Sequence, residues 1–68
     1  MMQRTANQLD VGDVIVAPDG AHHTVSSVDR HGLEGAWLTI RTATGLAIDK
    51  SRTAASIDTY DVLTDAER

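Results

Sequence analysis

The segment 37–49 constrains the fold of this chain more than any other stretch. On both sides of a short break, apolar residues alternate with polar or small ones. The apolar set that this alternation turns inward is Leu38, Ile40, Leu46 and Ile48. A period of two is typical of a strand with one buried face, and β-branched residues suit that pleated surface. The break at 43–45 ends in Gly45, which tolerates the positive φ of a short turn. The segment therefore predicts a β-hairpin.

Three further strands are predicted outside the hairpin, at 14–17, 24–29 and 57–63. A single helical turn is expected before the last strand, at 51–56, where Ser51 is suited to cap the first turn and alanines follow. These elements are joined by short connections. We therefore predict five short strands with one helical turn between the fourth and the fifth.

The strand at 24–29 contains one irregularity. Val25 and Val28 lie three positions apart, so strict alternation would turn them to opposite faces. A β-bulge at Ser26 and Ser27 would return both valines to the core and increase the curvature of the strand. We therefore predict a bulge at this point.

The length of 68 residues predicts one domain. We expect the ends, 1–4 and 65–68, to fray, and a short helical turn to form at 5–9 with Thr5 as its N-cap. Five short antiparallel strands close most economically as a small barrel, because closure removes the edges through which sheets aggregate. The predicted fold class is all-β.

The entry to this predicted barrel resembles a known family. The stretch LDVGDVI at 9–15 is similar to the L-x-x-G-D-x-V/I turn that leads the first strand of SH3-like small barrels, including the KOW-type ones. In that family a single 3₁₀ turn precedes the last strand, which matches the turn predicted at 51–56. The resemblance implies a five-stranded antiparallel SH3-like barrel, and it transfers no activity because fold and function separate freely.

The charge of the chain argues against duplex DNA as a ligand. Ten acidic residues outnumber six basic ones, giving a net charge of −4, whereas affinity for duplex DNA comes mainly from neutralising phosphates. No apolar run approaches the ~20 residues of a membrane span, so we expect a soluble, cytoplasmic protein with no membrane partner. Lysine occurs once while Ala, Asp and Thr are plentiful, a bias typical of GC-rich genomes such as those of actinobacteria or their phages.

The sequence indicates neither an active site nor a cofactor. It has no glycine-rich phosphate loop and no serine in an elbow motif, and so small a barrel leaves little room for a desolvated pocket. With no cysteine there is no disulfide to support a small core, so an oligomer or a partner is the expected source of further stability. We predict a non-enzymatic interaction module that binds a protein partner or itself.

The predicted contact surface is the outer side of the hairpin. If Leu38 and Ile40 face inward, the residues between them face outward, and an exposed Trp beside an Arg is typical of an interaction hot spot. The predicted contact residues are Trp37, Thr39, Arg41, Ala47 and, more weakly, Tyr60. The alternative is that Trp37 folds over the barrel rim onto Leu33 or Tyr60 and enlarges the core.

Two other binding functions remain open. Stacking on an aromatic ring beside cations is typical of sites for single-stranded nucleic acid. The residues for such a site are Trp37, Arg41, Lys50 and Arg52. A zinc site needs three or four converging ligands, for which the candidates are His22, His23 and His31.

Overall fold

The computed structural model of the protein describes residues 1–68 and contains one sheet of six antiparallel strands. The strands are β1 (Met2–Thr5), β2 (Val14–Val16), β3 (His22–His31), β4 (Trp37–Thr42), β5 (Ala47–Ser51) and β6 (Thr59–Val62). Their order across the sheet is β1-β6-β2-β3-β4-β5. The helical segments are α1 (Arg52–Ile57) and the 3₁₀ turns Ala6–Gln8, Leu33–Gly35 and Asp65–Glu67. The all-β prediction is confirmed.

The sheet differs from the predicted five-stranded closed barrel in three respects. Residues 1–4, which we expected to fray, contribute to a sixth strand, β1, because Met2 pairs with Val62 and its side chain packs against the core. The outer strands β1 and β5 do not pair with each other, so the sheet is open. The last strand is also shorter than predicted, because Ile57 ends α1 instead of beginning β6.

The central hairpin forms as predicted, with β4 and β5 as its arms, except that Leu46 lies in the turn before β5 and is 40% exposed instead of facing inward. Leu38 and Ile40 are 1% and 0% exposed, and Ile40 pairs with a half-buried Ile48. Gly45 has a φ of +91° and donates its N–H to the carbonyl of Thr42 at 3.0 Å, which closes the turn. The hairpin therefore supplies the centre of the core.

The predicted β-bulge is present in β3. The register between β3 and β4 shifts between Val25 and Ser27, and both Val25 and Val28 pack into or against the core. The N-terminal part of β3 pairs with β2 and the remainder with β4. A bulge increases the twist of its strand, so β3 joins the two halves of the sheet at an angle.

The helix α1 lies beside both outer strands of the sheet. As predicted, Ser51 caps it, with Oγ accepting the N–H of Ala54 at 3.3 Å. Ala55 is buried with Ala6, and the N–H of Ala6 donates to the carbonyl of Asp58 at 3.0 Å. The complete buried core is Ala6, Leu9, Ile15, Val25, Leu38, Ile40, Ala55 and Val62. No helix of the chain has the length and apolar character needed to cross a bilayer.

The turn that precedes β2 is held by hydrogen bonds at both of its residues. Gly12, with a φ of +95°, donates to the carbonyl of Val25 at 2.9 Å. The Asp13 carboxylate accepts the N–H of Asp10 at 2.9 Å, and the Asp13 carbonyl accepts the N–H of Val25 at 2.8 Å. The Gly-Asp pair of the sequence therefore fixes the start of β2 against β3.

Candidate functional site

The strands β3, β4 and β5 present one face away from the core. Cross-strand pairing arranges its side chains in rows, because residues directly opposite each other point to the same side of a sheet. We call this surface the outer face, and it consists of Ser27, Asp29, His31, Trp37, Thr39, Arg41, Ala47, Asp49 and Ser51. The alternation of the hairpin predicted the β4 and β5 members of this set apart from Ser51, which we expected in the helical turn.

Trp37 lies at one end of the outer face and is 49% exposed. Its indole rests against Gly32, where an added Cβ would lie only 2.9 Å from the Trp37 Cδ1 atom. Leu33, which follows Gly32 in the sequence, is 86% exposed. The indole is therefore neither sealed in the core nor free in solvent. It is supported on one side by backbone and open on the other.

Thr39 lies on the outer face, as predicted, but it is only 6% exposed. Its hydroxyl donates to Oδ1 of Asp49 at 2.5 Å and lies 2.7 Å from Nε2 of His31. Since the single hydroxyl hydrogen goes to Asp49, Thr39 accepts the N–H of His31. Thr39 therefore offers little surface for a direct contact, and it connects its exposed neighbours across three strands.

The order of groups in this chain of hydrogen bonds differs from that in a hydrolytic triad. In a triad the imidazole lies between the nucleophile and the carboxylate and accepts the proton of the nucleophile. Here the Thr39 hydroxyl occupies the middle position, is buried, and donates to Asp49 directly. The arrangement orders side chains on the outer face, and the order of its groups is not that of a triad.

Arg41 and Ala47 occupy the other end of the outer face, and both are exposed. The backbone carbonyl of Arg41 accepts the hydroxyl of Ser26 at 3.2 Å, but its guanidinium has no partner within the chain. The unpaired guanidinium of Arg41 therefore lies beside Ala47, a small residue on the outer strand β5.

Tyr60 is separated from the other predicted contact residues. It lies on β6, is half-buried, and packs against the core. It lines a shallow pocket of about 370 Å³ together with Val16, Pro18, Thr59 and Asp61. The structure thus places Tyr60 outside the outer face.

The four residues predicted for nucleic-acid binding are also divided. Lys50 lies on the core side of β5, and its Nζ bonds to Oδ2 of Asp58 at 2.8 Å. That hydrogen bond, together with the charge of Tyr60, raises the pKa of Lys50 above its ordinary value. Arg52 donates to the carbonyl of Glu34. Of the three cations in this set, only Arg41 is available on the outer face.

The three histidines do not form one site. His22 and His31 are at opposite ends of β3, about 30 Å apart at the usual rise of ~3.3 Å per residue. His23 lies 2.6 Å from the hydroxyl of Thr44 in the hairpin turn, through Nδ1. No group of three or more His, Asp or Glu side chains is placed to hold a metal ion.

Two contributors to this surface were not predicted from the sequence. Asp29 lies opposite Thr39 on β3, and Gly32 supports the indole. The position of Asp29 depends on the register between β3 and β4, and that of Gly32 depends on the path of a loop. Compared with known proteins, the chain matches no family model, no curated protein and no solved structure.

Proposed function

We propose that this chain is a non-catalytic protein-interaction module that binds a protein partner through its outer face. The observation that carries the proposal is the half-exposed Trp37, held against Gly32 on a face whose polar neighbours are already hydrogen-bonded. Trp and Arg dominate the residues that contribute most to protein–protein affinity. The outer face has one of each, at opposite ends.

We further propose that the fold is an SH3-like small barrel with an additional N-terminal strand. Two features support this interpretation. The Gly12-Asp13 turn precedes β2, and α1 precedes β6, which returns to pair with β2. The additional strand β1 pairs with the free side of β6 and leaves the outer face unobstructed.

The side chains of the outer face indicate the chemistry of the partner. Trp37 and the nearby Leu33 offer an apolar contact, and the exposed carboxylates of Asp29 and Asp49 lie beside it. Complementary potentials give an interface its specificity. A fitting partner places an apolar side chain on the indole and basic side chains over the two carboxylates.

The same charges give less support to single-stranded nucleic acid. Phosphate binding requires several free cations, whereas the outer face has only Arg41 and carries two carboxylates, Asp29 and Asp49. Binding to single-stranded RNA and DNA at low and high salt separates the two functions. Salt-sensitive binding that Arg41→Ala abolishes would replace our proposal with the nucleic-acid alternative.

The proposal is tested by comparing Trp37→Ala with Ile57→Ala. Ile57 is also a large exposed apolar residue, at 67%, but it lies on α1 away from the outer face. Proteins captured from the native cell by the wild-type chain are purified, and their affinities for each variant are measured. We expect Trp37→Ala to weaken the complex about 30-fold, as loss of a hot spot of ~2 kcal/mol does, and Ile57→Ala to leave it unchanged. Equal affinities for the two variants would contradict the proposal.

A further inference from the structure

The strand β5 is an outer strand of the sheet and pairs only with β4. Two hydrogen bonds show which residues of β4 and β5 form hydrogen-bonded pairs. The N–H of Thr42 donates to the carbonyl of Leu46, and the N–H of Arg52 donates to the carbonyl of Ala36. Hydrogen-bonded and non-hydrogen-bonded pairs alternate in an antiparallel ladder. The backbone groups of Ile48 and Lys50 therefore point toward β4, while those of Ala47 and Asp49 point away from the sheet.

We propose that β5 pairs with β5 of a second copy of this chain, antiparallel and centred on Ile48. In this register Ala47 of each copy lies opposite Asp49 of the other. Their outward N–H and C=O groups then form four hydrogen bonds related by a two-fold axis. The two Ile48 side chains meet at the axis on the core side of the sheet. Two open sheets become one continuous sheet.

Charge and chain geometry select this register over its neighbours. A register centred on Asp49 would place two carboxylates directly opposite each other, and like charges in that position are destabilising. Centring on Lys50 would oppose two ammonium groups and run into α1, which begins at Arg52. Centring on Ala47 would place Asp49 of one copy opposite Gly45 of the other, and Gly45 belongs to the hairpin turn. Ile48 is the centre that uses both Ala47 and Asp49, the outward-pointing residues of β5 that precede the N-cap Ser51.

The pairing also gives Arg41 the partner that it lacks within the chain. Arg41 and Ala47 lie in one row of the outer face, and Asp49 of the second copy extends that row. Two strand spacings of ~4.8 Å separate the Arg41 and Asp49 backbones. An extended guanidinium passes over the small Ala47 side chain and reaches the carboxylate. The two-fold axis repeats this ion pair, so the edge is self-complementary in charge as well as in hydrogen bonds.

The expected association is weak, since β5 has only five residues and short edges give interfaces at the small end of the known range. It uses the edge of the sheet together with Arg41 and Asp49 of the outer face, but not the indole of Trp37, so Trp37→Ala separates it from the proposed binding of a partner. Pairing would place the outer faces of the two copies side by side on one surface.

The first experiment measures mass and backbone exchange against concentration. Sedimentation of the purified chain from about 1 μM to about 1 mM, the range of weak dissociation constants, should show a rise from one chain to two. Amide hydrogen exchange should slow at least about tenfold at Ala47 and Asp49 with rising concentration, whereas Ile48 and Lys50 are protected throughout. A single-chain mass up to the highest concentration, or unchanged exchange at Ala47 and Asp49, would overturn the proposal.

The second experiment uses variants that leave the monomer folded. Ala47→Pro removes an N–H that points away from the sheet, where proline is tolerated on an edge strand, and it should abolish the dimer. Arg41→Glu should weaken the dimer, and Arg41→Glu combined with Asp49→Arg should restore it, because the ion pair is re-formed with reversed signs. Trp37→Ala is the control and should dimerise like the wild-type chain. Thermal unfolding verifies that each variant is folded. Undiminished dimerisation of folded Ala47→Pro would refute the register.

Discussion

Replacing Gly32 with alanine tests the support that we assign to the Trp37 indole. Gly32 has a φ of +79° and a ψ of 179°, a conformation that is essentially restricted to glycine. The added Cβ would also lie 2.9 Å from Cδ1 of Trp37, so the indole must move. Gly35→Ala is the matched control in the same loop, since its φ is +66° but its Cβ would meet nothing within 4 Å.

The loss of stability in Gly32→Ala has two sources, the strained backbone conformation and the displacement of the indole. The backbone conformation alone destabilises Gly32→Ala by about 1–3 kcal/mol and Gly35→Ala by about 1–2 kcal/mol. Truncating a fully buried Trp costs about 3–5 kcal/mol, so a half-buried indole contributes roughly half of that. Partial displacement of Trp37 therefore adds about 1 kcal/mol in Gly32→Ala alone. In a domain of this size that difference is about 4–8 °C in Tm.

Two measurements check this prediction. Thermal unfolding gives the Tm of both variants, and fluorescence reports the indole directly because the chain has one tryptophan. We expect a lower Tm and a red-shifted emission for Gly32→Ala, with the emission of Gly35→Ala close to that of the wild-type chain. Equal Tm values with unchanged emission in both variants would refute the contact between Gly32 and Trp37.

Three further predictions concern the core and the charged groups. Leu38→Ala empties a fully buried position and should lower the free energy of unfolding by about 2–5 kcal/mol in urea titrations. The ammonium of Met1, followed by the backbone and hydroxyl of Thr64, lowers the pKa of Glu67 to about 2. Its contribution to stability is therefore complete above pH 4.5 and is lost as the pH falls toward 2. NMR titration should show this pKa rising toward 4.5 when the amino group is acetylated. The raised pKa of Lys50 depends first on Asp58, so its contribution persists below pH 10.5 and is lost as the pH rises through the folded pKa. Asp58→Asn should lower the pKa of Lys50, as followed by NMR.

The hairpin and the bulge could be predicted because their signals are local. The alternation around Gly45 specifies which residues turn inward, and the three-residue spacing of Val25 and Val28 indicates where the ladder shifts. Strand β1 gave no such signal, since Met2 is the only large apolar residue in it. It is a strand because β6, at the far end of the chain, offers it a free edge.

The candidate site was predictable in position but not in accessibility. Periodicity placed Thr39 on the outer face, and the structure agrees. Its burial results from the side chains of His31 and Asp49, which approach it from two different strands. Tyr60 lies apart from the outer face for a similar reason, because the path of β6 beside β1 and β2 directs it to another part of the surface.

The hydrogen bonds through Thr39 also affect the entropy of binding. Freezing a mobile side chain at an interface costs about 0.5–1.5 kcal/mol, and His31 and Asp49 are already held in the free chain. A partner that contacts them loses less affinity to ordering than it would on a mobile surface. Thr39 can thus strengthen a complex without touching the partner, and removing its hydroxyl would loosen the complex through its neighbours.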